Sequence, residues 1–239
     1  MSEVISKLHA DLRHHVVDTE FGPWLKHPLV NKLLGMGMQA NRRHANYIKF
    51  VNEIYHCKQE CVAAALESGD WGRYVYTHEK YARVNALLAL AEKLDHKTYW
   101  GLVGETWLSV ECPSQSYDKW QEIWWCGRPY RMFSMPKEDR RVFRDLPDEL
   151  KIYRGVGAKD EETAECFAEG FSWTLNRDKA EWFAQRNSVE GKSYLATMRV
   201  PKRDVIAYLD GRNEAEIVLV PESLGYPYEI ALEALPTTN

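Results

Sequence analysis

"SYLATMRV", Ser193 to Val200, places Tyr194, Ala196, Met198 and Val200 on one side of an extended chain and Leu195, Thr197 and Arg199 on the other. Alternation of this kind predicts a half-buried strand. Downstream, "DVIAYL" (204–209), "AEIVLV" (215–220) and "YEIALEAL" (228–235) are further short strand candidates. Upstream, "IYRG" (152–155) and "GFSWT" (170–174) read as extended as well, and two helical stretches lie among these segments. Asp160 can cap the first, "EETAECFAE" (161–169), which Gly170 ends; Asn176 can cap the second, "RDKAEWFAQR" (177–186). The prediction for residues 146–239 is an α+β unit, with no internal repeat and no low-complexity linker.

Residues 1–145 have a different period and predict a helical N-terminal domain. Ile5, Leu8, Leu12 and Val16 form one stripe at helical spacing, Tyr47, Val51, Ile54 and Tyr55 a second, and Val84, Leu87, Leu88, Ala91 and Leu94 a third. "EFGPWLKHP" (20–28) and "ESGDWGRY" (67–74) supply the Gly, Pro and Asp expected to break these helices. Trp100, Trp107, Trp120, Trp124 and Trp125 crowd the end of this part and predict a packed aromatic core joining the two halves. The stripes and tryptophans offer more apolar surface than a few short helices need among themselves, so this part is expected to pack on the α+β unit.

Composition narrows the function classes. With 45% hydrophobic residues over 239 positions the chain can bury a substantial core, and a formal charge of −4 gives no whole-molecule basic field toward nucleic acid or anionic membrane. No apolar run approaches the roughly 18 residues of a membrane span, and the acidic and polar residues of "MSEVISKLHADLRHH" argue against a signal peptide, so a cytoplasmic location is expected. The five cysteines (Cys57, Cys61, Cys112, Cys126, Cys166) are irregularly spaced and predict reduced thiols. Cys57 and Cys61 sit one helical turn apart beside His56, but no second pair has matching spacing and no metal is expected.

Two motifs lead elsewhere. "GMGMQA" (35–40) satisfies a dinucleotide fingerprint literally, yet the preceding "PLVNKLL" (28–34) shows no strand alternation and no βαβ pattern follows, so it reads as a loop between helices. Arg42, Arg43, His44 and Lys49 gather near a helix start and read first as a solvated face, second as a phosphate-binding partner site. All eight histidines lie at or before His96. Chemistry inside the α+β unit must then rest on Arg, Ser, Thr, Tyr, Cys or carboxylates.

Three such elements line up: Arg154 in a first strand, Ser172 and Thr174 at the start of a second, and Glu214 with Glu216 at the start of a later one. On a strand, residues two apart share a face, which would set these glutamates about 6 to 7 Å apart at Cα, aimed into one space. Like charges so placed tend to raise one proton affinity. Trp182 and Phe183, on the helix after the serine motif, read as core packing.

The ordered set resembles the arginine-serine-glutamate class of mono-ADP-ribosyltransferases over about Lys151 to Val220. The class has an arginine on its first strand, a Ser-Thr-Ser stretch and a Glu/Gln-x-Glu pair. "GFSWTL" followed by "AEWFA" also looks like phage and bacterial members with helical N-terminal extensions. This chain reads Ser172-Trp173-Thr174 where the class often reads Ser-Thr-Ser, so Ser172 or Thr174 could take the first serine's place, Ser172 being favoured.

The resemblance implies a split β core and a glycosyltransferase reaction with NAD as substrate and no metal. Glu216 would stabilise the ribosyl cation formed as nicotinamide leaves and fix the 2′-hydroxyl. Ser172 would orient Glu216, Arg154 would hold the pyrophosphate, and Gly155, free of Cβ, would bring its backbone close to the nicotinamide amide; Thr174 completes the NAD-binding set. Glu214 would act toward the acceptor, with "LDGRN" (209–213) on that side. The implied acceptor is a protein side chain, arginine favoured, or a nucleic-acid base. The resemblance leaves open a neutralising partner protein, a role as a phage or toxin-system effector, NAD hydrolysis in place of transfer, and a non-catalytic binding module that kept the fold.

Overall fold

Val16 and Val17 open an antiparallel ribbon. The structure, a computed structural model, describes residues 5–34, 42–110, 113–188, 191–220 and 228–236. Helix α1 (Ala10–Arg13) is a single turn, and β1 (Val16–Thr19), β2 (Gly22–His27) and β3 (Val30–Leu33) form a three-stranded antiparallel sheet in that order. This corrects both the helical reading of the stripe ending at Val16 and the reading of "EFGPWLKHP" as a break. The suspected breakers build the hairpin: Gly22 takes φ 103°, open only to glycine at low cost, and Pro23 stands near the start of β2 opposite Asp18. Leu8 and Leu12, the latter on α1, are buried as the stripe implied, in a core that draws on the sheet and on the long helix that follows it.

Helix α2 (Arg42–Ser68) contributes Ile48, Val51 and Tyr55 from one face to a core shared with Leu8, Leu12, Leu25, Leu29, Val30 and Leu34. Gly69, at φ 70°, ends α2. Asp70 then caps α3 (Trp71–Thr77), accepting from the Arg73 backbone N–H at 3.0 Å, and α4 (Arg83–Leu90) follows. These elements belong to one compact unit, Met1–Lys93. "GMGMQA" and the side chains of Arg42, Arg43 and His44 lie outside the described residues, as does Cys112.

The second compact unit is Leu94–Asn239, so the sequence-based boundary at 145/146 falls inside it. Residues 94–145 share their unit with the sheet because the tryptophans bind them to it. On α5 (His96–Ser109) and α6 (Tyr117–Trp125), Trp100, Trp107, Trp120 and Trp124 are each at most 1% exposed. Trp107 meets Trp120 edge-on at 4.8 Å and Phe171, next to the sheet, at 6.0 Å. Trp125, 45% exposed, is not part of this cluster. Helix α7 (Lys137–Asp145) leads into the first long strand.

Six strands, β4 (Glu149–Ala158), β5 (Ser172–Thr174), β6 (Lys192–Pro201), β7 (Ala207–Leu209), β8 (Glu216–Val218) and β9 (Ala231–Ala234), form one antiparallel sheet in the order β7-β8-β5-β4-β6-β9. The molecule is therefore of mixed α+β class. Strands β4 and β6 pair along their whole length, whereas β4 and β5 share the single register pair Tyr153–Thr174. Asp160 and Asn176 cap α8 (Glu161–Ala168) and α9 (Arg177–Asn187) as expected, accepting from Thr163 and Lys179 backbone N–H groups. Helix α9 crosses β4 closely, and a Cβ on Gly155 would lie 1.9 Å from the Ala180 carbonyl oxygen. Glycine at 155 is thus required by helix–sheet packing. Trp182 is 50% exposed under the Arg186 guanidinium, which corrects its assignment to the core. Among the described residues no helix is long and apolar enough to cross a membrane.

Candidate active site

The turn from Asp210 to Ala215 decides how the two glutamates are presented. The Asp210 carbonyl accepts from Asn213 N–H at 2.8 Å, and its carboxylate accepts from Ala215 N–H at 2.9 Å. Asn213 and Ala215 both adopt positive φ, 55° and 45°, a conformation that costs a non-glycine residue energy and persists only where the surroundings enforce it. Asp139 on α7 adds to that enforcement by accepting from Asp210 N–H at 3.0 Å, and burial pushes the Asp139 carboxyl above its ordinary range. Because Ala215 is left-handed, β8 begins at Glu216 and strand alternation does not extend to Glu214. The same-face argument for the pair is corrected accordingly.

The carboxylates converge all the same, on a residue between them and the strand pair. Arg212 Nε stands 3.0 Å from a Glu214 oxygen, and an Arg212 terminal nitrogen donates to Glu216 Oε2 at 3.1 Å. One guanidinium bridges both acids. Sequence reasoning missed Arg212, although it opens the run "RNEAEIVLV"; nothing in its spacing separates it from any surface arginine.

Glu216 is 2% exposed and lies opposite Thr174 across the β5–β8 pair. Ser172, two residues before Thr174, is its diagonal neighbour on the same face, and Ser172 Oγ donates to Glu216 Oε1 at 2.5 Å. Thr174 Oγ1 instead donates to the Glu214 carbonyl at 2.5 Å and accepts from Asn176 N–H, so it holds the turn and not the carboxylate. The indole N–H of Trp107 donates to Glu216 Oε1 at 3.0 Å, from a helix that sequence reading placed outside this unit. Burial raises the proton affinity of Glu216, with the bonds from Ser172, Arg212 and Trp107 opposing and the Glu214 charge adding a little.

Arg154, half-buried on β4, donates through Nε to the Phe167 carbonyl at 3.2 Å and through one terminal nitrogen to the Ser172 carbonyl at 2.5 Å. Gly170 makes room for it: a Cβ there would lie 2.6 Å from the guanidinium carbon. Burial lowers the Arg154 proton affinity and Glu216 opposes the shift, and arginine stays charged. Arg154, Ser172 and Glu216 are thus linked in one hydrogen-bonded chain, with Thr174 and Glu214 at its side. Gly155 is near in sequence, its Cβ position taken up by α9.

Lys49, Cys57 and Cys61 belong to the first unit, not to the one that carries the glutamates. Lys49 pairs with Glu53 at 3.8 Å on α2, Cys57 is exposed and Cys61 half-buried. Among the described residues no group of three His, Cys, Asp or Glu side chains is placed to hold a metal ion. Two surface cavities, of 390 and 620 Å³, open beside Phe143 and Val205, away from the glutamates. No family model, curated protein or solved structure matches the chain.

Proposed function

We propose that the chain is a mono-ADP-ribosyltransferase that moves ADP-ribose from NAD to a macromolecular acceptor, with the six-stranded sheet as an ADP-ribosyltransferase-like core. The observation that supports this reading is the hydrogen-bonded chain Arg154–Ser172–Glu216: the Arg154 guanidinium donates to the Ser172 backbone carbonyl, and Ser172 Oγ donates to the buried Glu216 carboxylate. A structural ion pair would need no serine donor at 2.5 Å and no arginine behind it.

NAD supplies a glycosidic bond to nicotinamide whose cleavage builds positive charge on the ribose. Glu216 stabilises that charge and accepts from the ribose 2′-hydroxyl. Ser172 holds Glu216 in one orientation, so little reorganisation is left for the reaction itself. Arg154 commits two nitrogens to carbonyls; its remaining terminal nitrogen makes no hydrogen bond with the described residues and fits a phosphate oxygen.

Glu214 and Glu216 already hold a guanidinium, that of Arg212, which favours an arginine side chain over a nucleic-acid base as acceptor. In this reading an incoming guanidinium displaces Arg212 from Glu214, and Glu214 takes the proton released when the acceptor nitrogen bonds to ribose C1″. The test follows NAD incubated with the protein and an arginine-rich polypeptide, quantifying nicotinamide, free ADP-ribose and polypeptide-linked ADP-ribose. Linked ADP-ribose is expected. Free ADP-ribose alone would make the protein a glycohydrolase, and no nicotinamide at all would leave a binding module.

A further inference from the structure

We infer that Trp107 is a positioning residue of the candidate site: its indole N–H decides which oxygen of Glu216 is left to meet the substrate. The inference rests on the reading of Glu216 as the ribosyl-stabilising carboxylate. An ionised carboxylate oxygen accepts about two hydrogen bonds. Among the described residues Oε1 accepts two, from Trp107 at 3.0 Å and Ser172 at 2.5 Å, and is saturated; Oε2 accepts one, from Arg212 at 3.1 Å. The open acceptor position therefore belongs to Oε2, on the side that faces Arg212 and Glu214.

The support behind Trp107 is rigid. It is 0% exposed, meets Trp120 edge-on at 4.8 Å and Trp124 at 5.7 Å, and packs against Phe171, which immediately precedes Ser172. The residue before one donor thus packs on the ring of another. An aromatic core alone does not require this contact. Trp120 and Trp124, equally buried, leave their indole N–H groups without a partner among the described residues, whereas Trp107 is turned onto the carboxylate. Removing the donor frees Glu216 to rotate and withdraws stabilisation from its ionised form. The charged groups on Glu216 that remain are Arg212, Glu214 and, through Ser172, Arg154.

The experiment compares Trp107→Phe with Trp120→Phe in the full chain, reading nicotinamide release across pH. Both variants lose one indole from the same cluster, so both lose some thermal stability. Trp107→Phe is expected to lower kcat at least about tenfold, the scale of one hydrogen bond to a charged group, with KM for NAD little changed. Its acid limb should move to higher pH, because Glu216 loses a donor that favours its ionised form. Trp120→Phe should keep the wild-type kcat and pH profile. Equal kcat and equal profiles in the two variants would overturn the inference, while wild-type protein that releases no nicotinamide would overturn the functional reading beneath it. A second readout needs no variant at position 107: in the wild type, the Trp107 indole proton resonance should shift with the titration of Glu216, and Glu216→Gln should abolish that shift. A resonance indifferent to pH and to Glu216→Gln would also overturn the inference.

Discussion

Glu214 and Glu216 hold the same guanidinium from different surroundings. Glu216 is 2% exposed with three donors, and Glu214 has a side chain 20% exposed with Arg212 as its ion-pair partner. A buried carboxylate held by three donors suits a fixed electrostatic task, and a more accessible one suits exchange of partners. Replacing Glu214 by Gln should therefore leave slow cleavage of NAD by water largely intact while transfer to an arginine acceptor falls by about 10² to 10⁴, the range of general-base help. Nicotinamide release and label incorporation, measured on the same preparation, check this. A proportional loss of both would place Glu214 at the NAD site, and no loss of either would remove it from the reaction.

At the scale of elements, the first unit contains a pH-sensitive joint where β2 meets α2. His27 lies 4.6 Å from the His15 ring and 5.1 Å from Tyr55 of α2, and its Nδ1 accepts from the Leu29 backbone N–H at 3.1 Å. Burial, then the nearby His15, lowers its pKa from 6.5 to about 4, with Asp11 opposing and His78 adding a little. The folded state thus prefers neutral His27 while the unfolded chain takes up a proton below 6.5. Stability from this preference is complete above 6.5 and is lost as pH falls toward about 4. Thermal melts across that window should show a falling midpoint, and His27→Gln, which keeps a neutral polar side chain, should flatten the dependence. An unchanged slope in the variant would show that another group governs it.

Over the whole molecule, the sequence was most legible where one local rule acts alone. The caps Asp160 and Asn176, the break at Gly69 and the long strand through "SYLATMRV" each follow from residues within a turn or two. It misled where the stripe ran past its helical turn: Leu12 lies on α1, but Val16 of the same stripe opens β1. Arg154, Ser172 and Glu216 were legible as a set, and Ser172 was separated from Thr174 only by which hydroxyl reaches the carboxylate. Trp107 and Arg212 were not legible, since an indole among five neighbouring tryptophans and an arginine four residues before a glutamate have no distinguishing pattern until the fold brings them to Glu216. The α+β class and this cluster belong to one unit that begins at Leu94. The proposed role of Glu216, stabilising the ribosyl charge as nicotinamide leaves NAD, is checked by the initial rate of nicotinamide release from wild-type protein and from Glu216→Gln. Measurable release by the wild type and a loss of about 10² to 10³-fold in the variant are expected, the scale of one preorganised electrostatic group; a variant that keeps more than half the wild-type rate would remove Glu216 from that role.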